Sequence, residues 1–233
     1  MLSRPVNLAI VDDHALFRKT LKAYLSEQRN INVVFHASDA LDLTNKLKGT
    51  SIDILLIDIF LPKLNGNEAI RSIRVEFPEI KIIVLSVSRD MEMISDLLDW
   101  GIHGYISKAD EPEDLLHAIQ TVACDHIYRN TWFTEALYWS RQNSIRSYTE
   151  DTAVTLNERE KKILRLIWEE KSNKDIADEL FLGVRSVEKI RQDLKEKVGV
   201  RSTVGLLKYA INKKIIEFSP RSSGNGQVGR VFS

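Results

Sequence analysis

Five strand-length apolar runs alternate with helix-period segments through the first half of the chain, and this alternation restricts the fold more than any other feature. The runs are "NLAIVDD", "INVVFHAS", "IDILLIDIF", "KIIVLSVS" and "GYISK". Their Ile, Val and Leu residues are nearly continuous, as suits strands buried on both faces. Between them stand "ALFRKTLKAYLSE", "ALDLTNKLK", "NEAIRSIRVEF", "DMEMISDLLDW" and "EPEDLLHAIQTVA", whose apolar residues recur every three or four positions. Strand followed by helix, repeated, predicts an α/β fold with a five-stranded doubly wound parallel sheet. In such a sheet the binding crevice lies beyond the carboxyl ends of the strands.

Those ends carry the chemistry. Asp12 and Asp13 close the first run, Asp58 the third, Ser86 the fourth and Lys108 the fifth. In "LLIDIFLPKLNG", Asp58 ends a buried run just before Pro62, Asn65 and Gly66 interrupt it, and an unpaired carboxylate there is costly. Three carboxylates on one rim repel each other, and a hard divalent cation such as Mg²⁺ relieves that repulsion while keeping water in its shell. A carboxylate is also a nucleophile toward phosphorus, giving an acyl phosphate. Lys108 offers a compact positive charge to a phosphoryl oxygen, and Ser86 a hydroxyl donor. Simple solvation explains any one strand-end acid. It does not explain five suitable groups at matching ends.

These residues resemble the receiver domain of two-component response regulators, over about residues 5–126. The resemblance implies the strand order 2-1-3-4-5 and makes Asp58 the phosphoacceptor. It also implies that Asp12 and Asp13 bind metal with Asp58 and the backbone carbonyl of Phe60, and that Lys108 and Ser86 contact the phosphoryl group. Tyr105 matches the family's switch aromatic, with a packed strand residue as the alternative. Phe60, Val87 and Ser88 depart from the commonest pattern near the phosphoryl site and bear on how long a phosphoryl group survives. Ala109 follows Lys108 where many receivers have proline, leaving that loop less constrained. His14 reads as a surface or local hydrogen-bonding residue, because Mg²⁺ prefers oxygen and the other histidines show no ligand spacing.

The formal net charge of zero conceals an asymmetry: residues 1–128 hold 13 Lys and Arg against 19 Asp and Glu, a net of −6, whereas residues 153–218 hold 15 against 11, a net of +4. An acidic module precedes a basic one, which suggests a cation in the first and nucleic acid in the second. Between them, Trp132, Phe133, Leu137 and Tyr138 predict either a short amphipathic helix against the first module or part of a domain interface. The polar "SRQNSIRSYTEDT" reads as linker, and the Ser- and Gly-rich tail "SPRSSGNGQVGRVFS" as disordered. The lone Cys124 reads as a small core residue in a helix. No run approaches the roughly 18 apolar residues of a membrane span, and "MLSRPVNLAIVDD" has no cleavable signal pattern. The chain is therefore expected to be cytoplasmic.

From Leu156 the pattern becomes all-helical. "LNEREKKILRLIWEEK" opens with Asn157 as N-cap and Glu160 three residues on, a capping box. "SNKDIADEL" predicts a short helix capped by Ser172, Gly183 a turn, "RSVEKIRQDLKEKV" a longer helix, and "STVGLLKYAINKK" a fourth. A short helix, a turn and a basic helix make a helix-turn-helix. On the longer helix Val187, Ile190, Leu194 and Val198 form the core stripe. Opposite them lie Arg185, Lys189, Gln192 and Glu196, with Glu188 and Lys195 beside that face; Arg185 or Lys189 is placed to read guanine, Gln192 adenine and Glu188 cytosine, with Arg191 and Lys195 on phosphates. A solvated charged face is the simpler alternative.

Over about residues 153–216 this half resembles the LuxR-type helix-turn-helix of NarL/FixJ response regulators, although many members have a basic residue where Glu188 stands and often histidine where Ile190 stands. The expected organisation is a receiver at 1–128, a linker at 129–152, a small all-α four-helix helix-turn-helix domain at 153–218 and a tail at 219–233. Together the resemblances imply a transcription regulator, not an enzyme. A sensor histidine kinase would phosphorylate Asp58 with Mg²⁺, and two copies would dimerise on paired half-sites in double-stranded DNA without touching a membrane. The rival readings are a phosphorylation-gated protein-interaction switch and a phosphate-storing relay.

Overall fold

The structure, a computed structural model, describes residues 4–61, 66–144 and 154–217. Pro62, Asn65, the linker residues 145–152 and the tail at 219–233 lie outside the described residues. The five apolar runs become β1 (Val6–Val11), β2 (Ile31–Ala37), β3 (Ile54–Asp58), β4 (Lys81–Ser86) and β5 (Gly104–Ser107). All pair in parallel, in the order β2-β1-β3-β4-β5. The helices between them are α1 (Ala15–Ser26), α2 (Ala40–Leu47), α3 (Gly66–Glu76), α4 (Met91–Asp99) and α5 (Pro112–Ala123).

Alternate strand residues separate the core into two layers. Leu8, Ile10, Leu56 and Leu85 meet α1 and α5 on one face, whereas Val11, Leu55, Ile57 and Val84 meet α2, α3 and α4 on the other. The central strand β3 is buried along its whole length, so the nearly unbroken hydrophobicity of the sequence has its physical cause here. Two predicted strand ends shift slightly. β1 stops at Val11 and β5 at Ser107, which puts Asp12, Asp13 and Lys108 on the first loop residues and not in the strands.

The aromatic segment is helical: α6 spans Thr131–Ser144 and buries Phe133, Ala136 and Leu137 against α4. It also touches the last helix among the described residues, so both of its sequence readings apply. The C-terminal module consists of α7 (Glu158–Trp168), α8 (Asn173–Leu180), α9 (Val184–Val198) and α10 (Thr203–Asn212). Capping boxes start α7 at Asn157 and α8 at Ser172, each such cap contributing about 1 kcal/mol. On α9 Val187 and Leu194 are buried, and Ile190 and Val198 pack beside them.

One local expectation is refined and one fails. The left-handed residue of the helix-turn-helix turn is Phe181, at φ 53°, whereas Gly183 is extended at φ −80° and caps α9. The turn therefore does not use glycine's conformational freedom. Cys124 follows the last residue of α5 and is exposed; the apolar stripe of α5 ends at Val122, and the chain turns before the cysteine can enter the core.

The C-terminal module docks on the receiver through α4. Lys208 of α10 reaches the Ser95 carbonyl, the Ser95 hydroxyl and Asp99 Oδ2, each at 2.8 Å, while the Ser202 hydroxyl donates to the Leu98 carbonyl at 3.3 Å. Gly101 belongs to the same contact: its φ is +83°, and a Cβ there would meet Ser202 Cβ at 3.0 Å. Glycine is required on both counts.

Candidate functional site

The parallel register brings the rim residues together. Asp58 stands opposite Leu85 in the β3–β4 pairing, and Ser86 opposite Ser107 in the β4–β5 pairing, so Lys108 follows directly beside Ser86. The Lys108 amide donates to the Ser86 carbonyl at 2.8 Å. Asp12 and Asp58 are almost fully buried. Lys108 Nζ lies between them, hydrogen-bonded to Asp58 Oδ2 and 2.8 Å from Asp12 Oδ2. Its approach to Asp12 has no hydrogen-bonding direction, which leaves Asp12 Oδ2 without a hydrogen bond although buried. The charge contact still counts, because Coulomb attraction at that range needs no angle.

Burial acts first on Lys108 and lowers its pKa, but the close carboxylates of Asp12 and Asp58 outweigh it and hold the ammonium above its ordinary 10.5. The lysine is therefore a fixed cation at neutral pH. Its Nζ also lies 4.9 Å from the centre of the Phe17 ring, an attraction sequence reasoning missed. Arg18 was missed as well; its guanidinium donates to the Asp12 carbonyl and fixes that loop.

One ligand atom from each of Asp12, Asp13, His14 and Asp58 falls within a 4.8 Å span. The three carboxylates form a hard-oxygen donor set, and the orphaned Asp12 oxygen offers a free lone pair, so the residues fit a divalent cation. His14 is exposed, with Nδ1 2.8 Å from Asp13 Oδ1, the local use expected of it. The Phe60 amide donates to Asp58 Oδ1 at 3.0 Å, and its side chain faces solvent.

Ser86 and Tyr105 form a second layer. Ser86 is buried and its Oγ accepts from the Ser88 amide at 3.1 Å. Tyr105 is fully buried, and its hydroxyl donates to the Ser88 carbonyl at 2.6 Å. Burial raises the phenol's pKa, against a smaller lowering by a hydrogen bond with Ser86. Both side chains thus converge on the loop that enters α4, where Asp90 caps the amides of Glu92 and Met93.

The second candidate surface is α9, and its predicted contacts divide. Arg185, Lys189 and Gln192 are exposed, with Gln192 Nε2 donating to Glu196 Oε1 at 2.8 Å. Glu188, Arg191 and Lys195 instead line a cleft against the receiver. Arg191 hydrogen-bonds the Asn173 side chain and, at 3.1 Å, Thr203 Oγ1. Sequence reasoning also missed Lys208 and its α4 partners. A single lysine inside the apolar run "VGLLKYAI" was the available signal, since a lysine is rarely buried without a partner.

Comparison with known proteins agrees with both halves. Residues 8–120 match the response regulator receiver domain family, and residues 154–210 the bacterial regulatory proteins of the luxR family. The oxygen regulatory protein NreC of Staphylococcus aureus (strain MRSA252) is 35% identical over 217 residues, covering 91% of this chain and all of that protein. The isolated REC domain of RcsB from Salmonella enterica serovar Typhimurium, solved with the phosphomimetic BeF3−, is 26% identical with a TM-score of 0.54, covering 57% of this chain and 99% of that one. RcsB from Salmonella enterica serovar Typhimurium bound to promoter P1flhDC shares the fold at a TM-score of 0.57 and 24% identity, over 90% of this chain and 100% of that one. Among the described residues no helix is long and apolar enough to cross a membrane.

Proposed function

The chain belongs to the NarL/FixJ response regulators, with a receiver and a LuxR-type DNA-binding module, and from that premise we propose that phosphorylation of Asp58 by a histidine kinase releases α9 for DNA. The observation that carries this reading is Lys108 suspended between Asp12 and Asp58 at the sheet's carboxyl rim. The site sets one ammonium against three carboxylates and so holds a nucleophile, a phosphoryl-binding cation and metal-binding oxygens in one place.

In the proposed transfer an Asp58 carboxylate oxygen attacks the phosphorus of a phosphohistidine. A P–O bond forms, the P–N bond breaks, and the imidazole leaves. Lys108 then exchanges its contact with Asp58 for a phosphoryl oxygen and keeps Asp12. Asp12, Asp13, Asp58 and the Phe60 carbonyl would hold Mg²⁺, which supplies neutralisation of charge on the phosphoryl oxygens. The Ser86 hydroxyl turns to the phosphoryl group and gives up its bond with the Ser88 amide.

Rearrangement at Ser86 and Tyr105 alters the Ser88 loop and hence the start of α4, the helix on which Lys208 docks. Loosened docking frees the cleft-facing edge of α9, and two released modules bind paired half-sites as a dimer. Incubation with acetyl phosphate and Mg²⁺, followed by intact-mass measurement, tests the chemistry. Wild type should gain one phosphoryl group and Asp58→Asn none; equal labelling of the two would remove Asp58 from this role.

A further inference from the structure

Between the receiver and the C-terminal module lies a cavity of about 290 Å³ whose wall carries Arg74 and Lys81 from the receiver and Arg191, Lys195 and Arg201 from the module. Only two carboxylates, Asp125 and Glu188, share that wall. Lys81 is paired with Asp125 at 2.5 Å. The other cations have weaker compensation. Arg74 donates to the carbonyls of Pro78 and Ile80 at 2.9 and 3.1 Å, and Arg191 to the neutral side chains of Asn173 and Thr203. Arg201 lies over the Trp100 ring at 5.6 Å. Among the described residues Lys195 has no ion pair.

His103, on the same wall, registers the resulting field. Its Nδ1 accepts from the Ile82 amide at 3.1 Å, so the neutral ring carries its proton on Nε2, as a donor. Burial, and then the charges of Arg74, Lys81 and Arg191, push its pKa down to about 3. Burial also lowers Lys195, followed by repulsion from Arg191 and Arg74. Like charges from two modules thus face each other across a half-open cleft, an arrangement that opposes docking unless something negative lies between them.

Storage of DNA-facing cations accounts for Arg191 and Lys195. It does not account for the two receiver cations opposite them. We propose that the cavity binds a compact phosphate-class anion with at least two negative charges, which bridges the modules and holds them docked. The volume is at the lower limit of the roughly 300–1,000 Å³ typical of ligand pockets. That favours a free polyphosphate, or the phosphoryl end of a nucleotide, over a larger ligand.

Calorimetry of the full chain with pyrophosphate, free of divalent metal and at fixed ionic strength, tests the site. One pyrophosphate should bind, and a hundredfold excess over its dissociation constant should raise the unfolding midpoint by about 5–10 °C above chloride. Arg74→Gln on the receiver side and Arg201→Gln on the module side should each weaken binding about tenfold. A parallel titration with ADP separates the two sources: tighter binding than pyrophosphate identifies a nucleotide, weaker binding a free polyphosphate. Absence of binding by both anions, or unchanged pyrophosphate affinity in both variants, overturns the proposal. The assay uses no phosphodonor or Mg²⁺, so its failure is distinguishable from failure of Asp58 phosphorylation.

Discussion

At the rim of the sheet three carboxylates surround one ammonium, Lys108, whereas in the cavity between the modules five cations face two carboxylates. The rim offsets part of its negative charge from within one domain, with Lys108 pinned by Asp12 and Asp58. The cavity has no such internal counterion for Lys195 or Arg201, and its charges come from both modules. The contrast teaches that the rim is complete as soon as the receiver folds, while the cavity exists only when the modules dock. Chemistry belongs to the first and control of domain arrangement to the second.

Removing the rim's own counterion strains the comparison most. Lys108→Gln should lower the rate of phosphoryl uptake from acetyl phosphate by about 100-fold, the usual loss for one donor to a developing oxyanion. Mg²⁺ should bind the same variant more tightly, because a competing cation has left the carboxylates. Titrating Mg²⁺ into both proteins checks the second half, and weaker binding would mean that Lys108 organises the metal site instead of competing with it.

On the cavity side, His103 gives a pH signature. Its folded pKa of about 3 lies below the ordinary 6.5, so the unfolded chain takes up a proton that the folded chain refuses. The stability this provides is complete above pH 6.5 and is lost as pH falls from 6.5 toward 3. Between pH 7 and pH 5, denaturant titrations should show wild type losing about 2 kcal/mol more than His103→Asn. The smallest expected effect is at the α4 contact. Lys208→Met removes the bonds to Ser95 and Asp99 and should raise affinity for duplex DNA about tenfold without phosphorylation, as the loss of charge-assisted hydrogen bonds allows.

The same contrast explains what the sequence made legible. Strand ends are local features, and parallel topology sends them all to one edge, so Asp12, Asp13, Asp58, Ser86 and Lys108 were readable before any coordinates. The core stripe of α9 was readable for a similar reason, since Val187 and Leu194 follow helical spacing. Arg191 and Lys195 were grouped with the DNA-facing side chains because period alone cannot say that the edge of a helix meets another domain. Phe181 was missed at the turn because a bulky residue rarely adopts positive φ, and Gly183 nearby was the more obvious choice. Cys124 stands one residue past the end of α5, which hydrophobic character alone did not reveal.

Hydrogen exchange of the α4 and α10 amides, with and without acetyl phosphate and Mg²⁺, addresses the central claim that Asp58 controls docking. In wild type the phosphodonor should reduce protection in both helices at their mutual contact, and Asp58→Asn should show no change. Protection that stays the same in phosphorylated wild type, or falls equally in Asp58→Asn, would contradict the coupling.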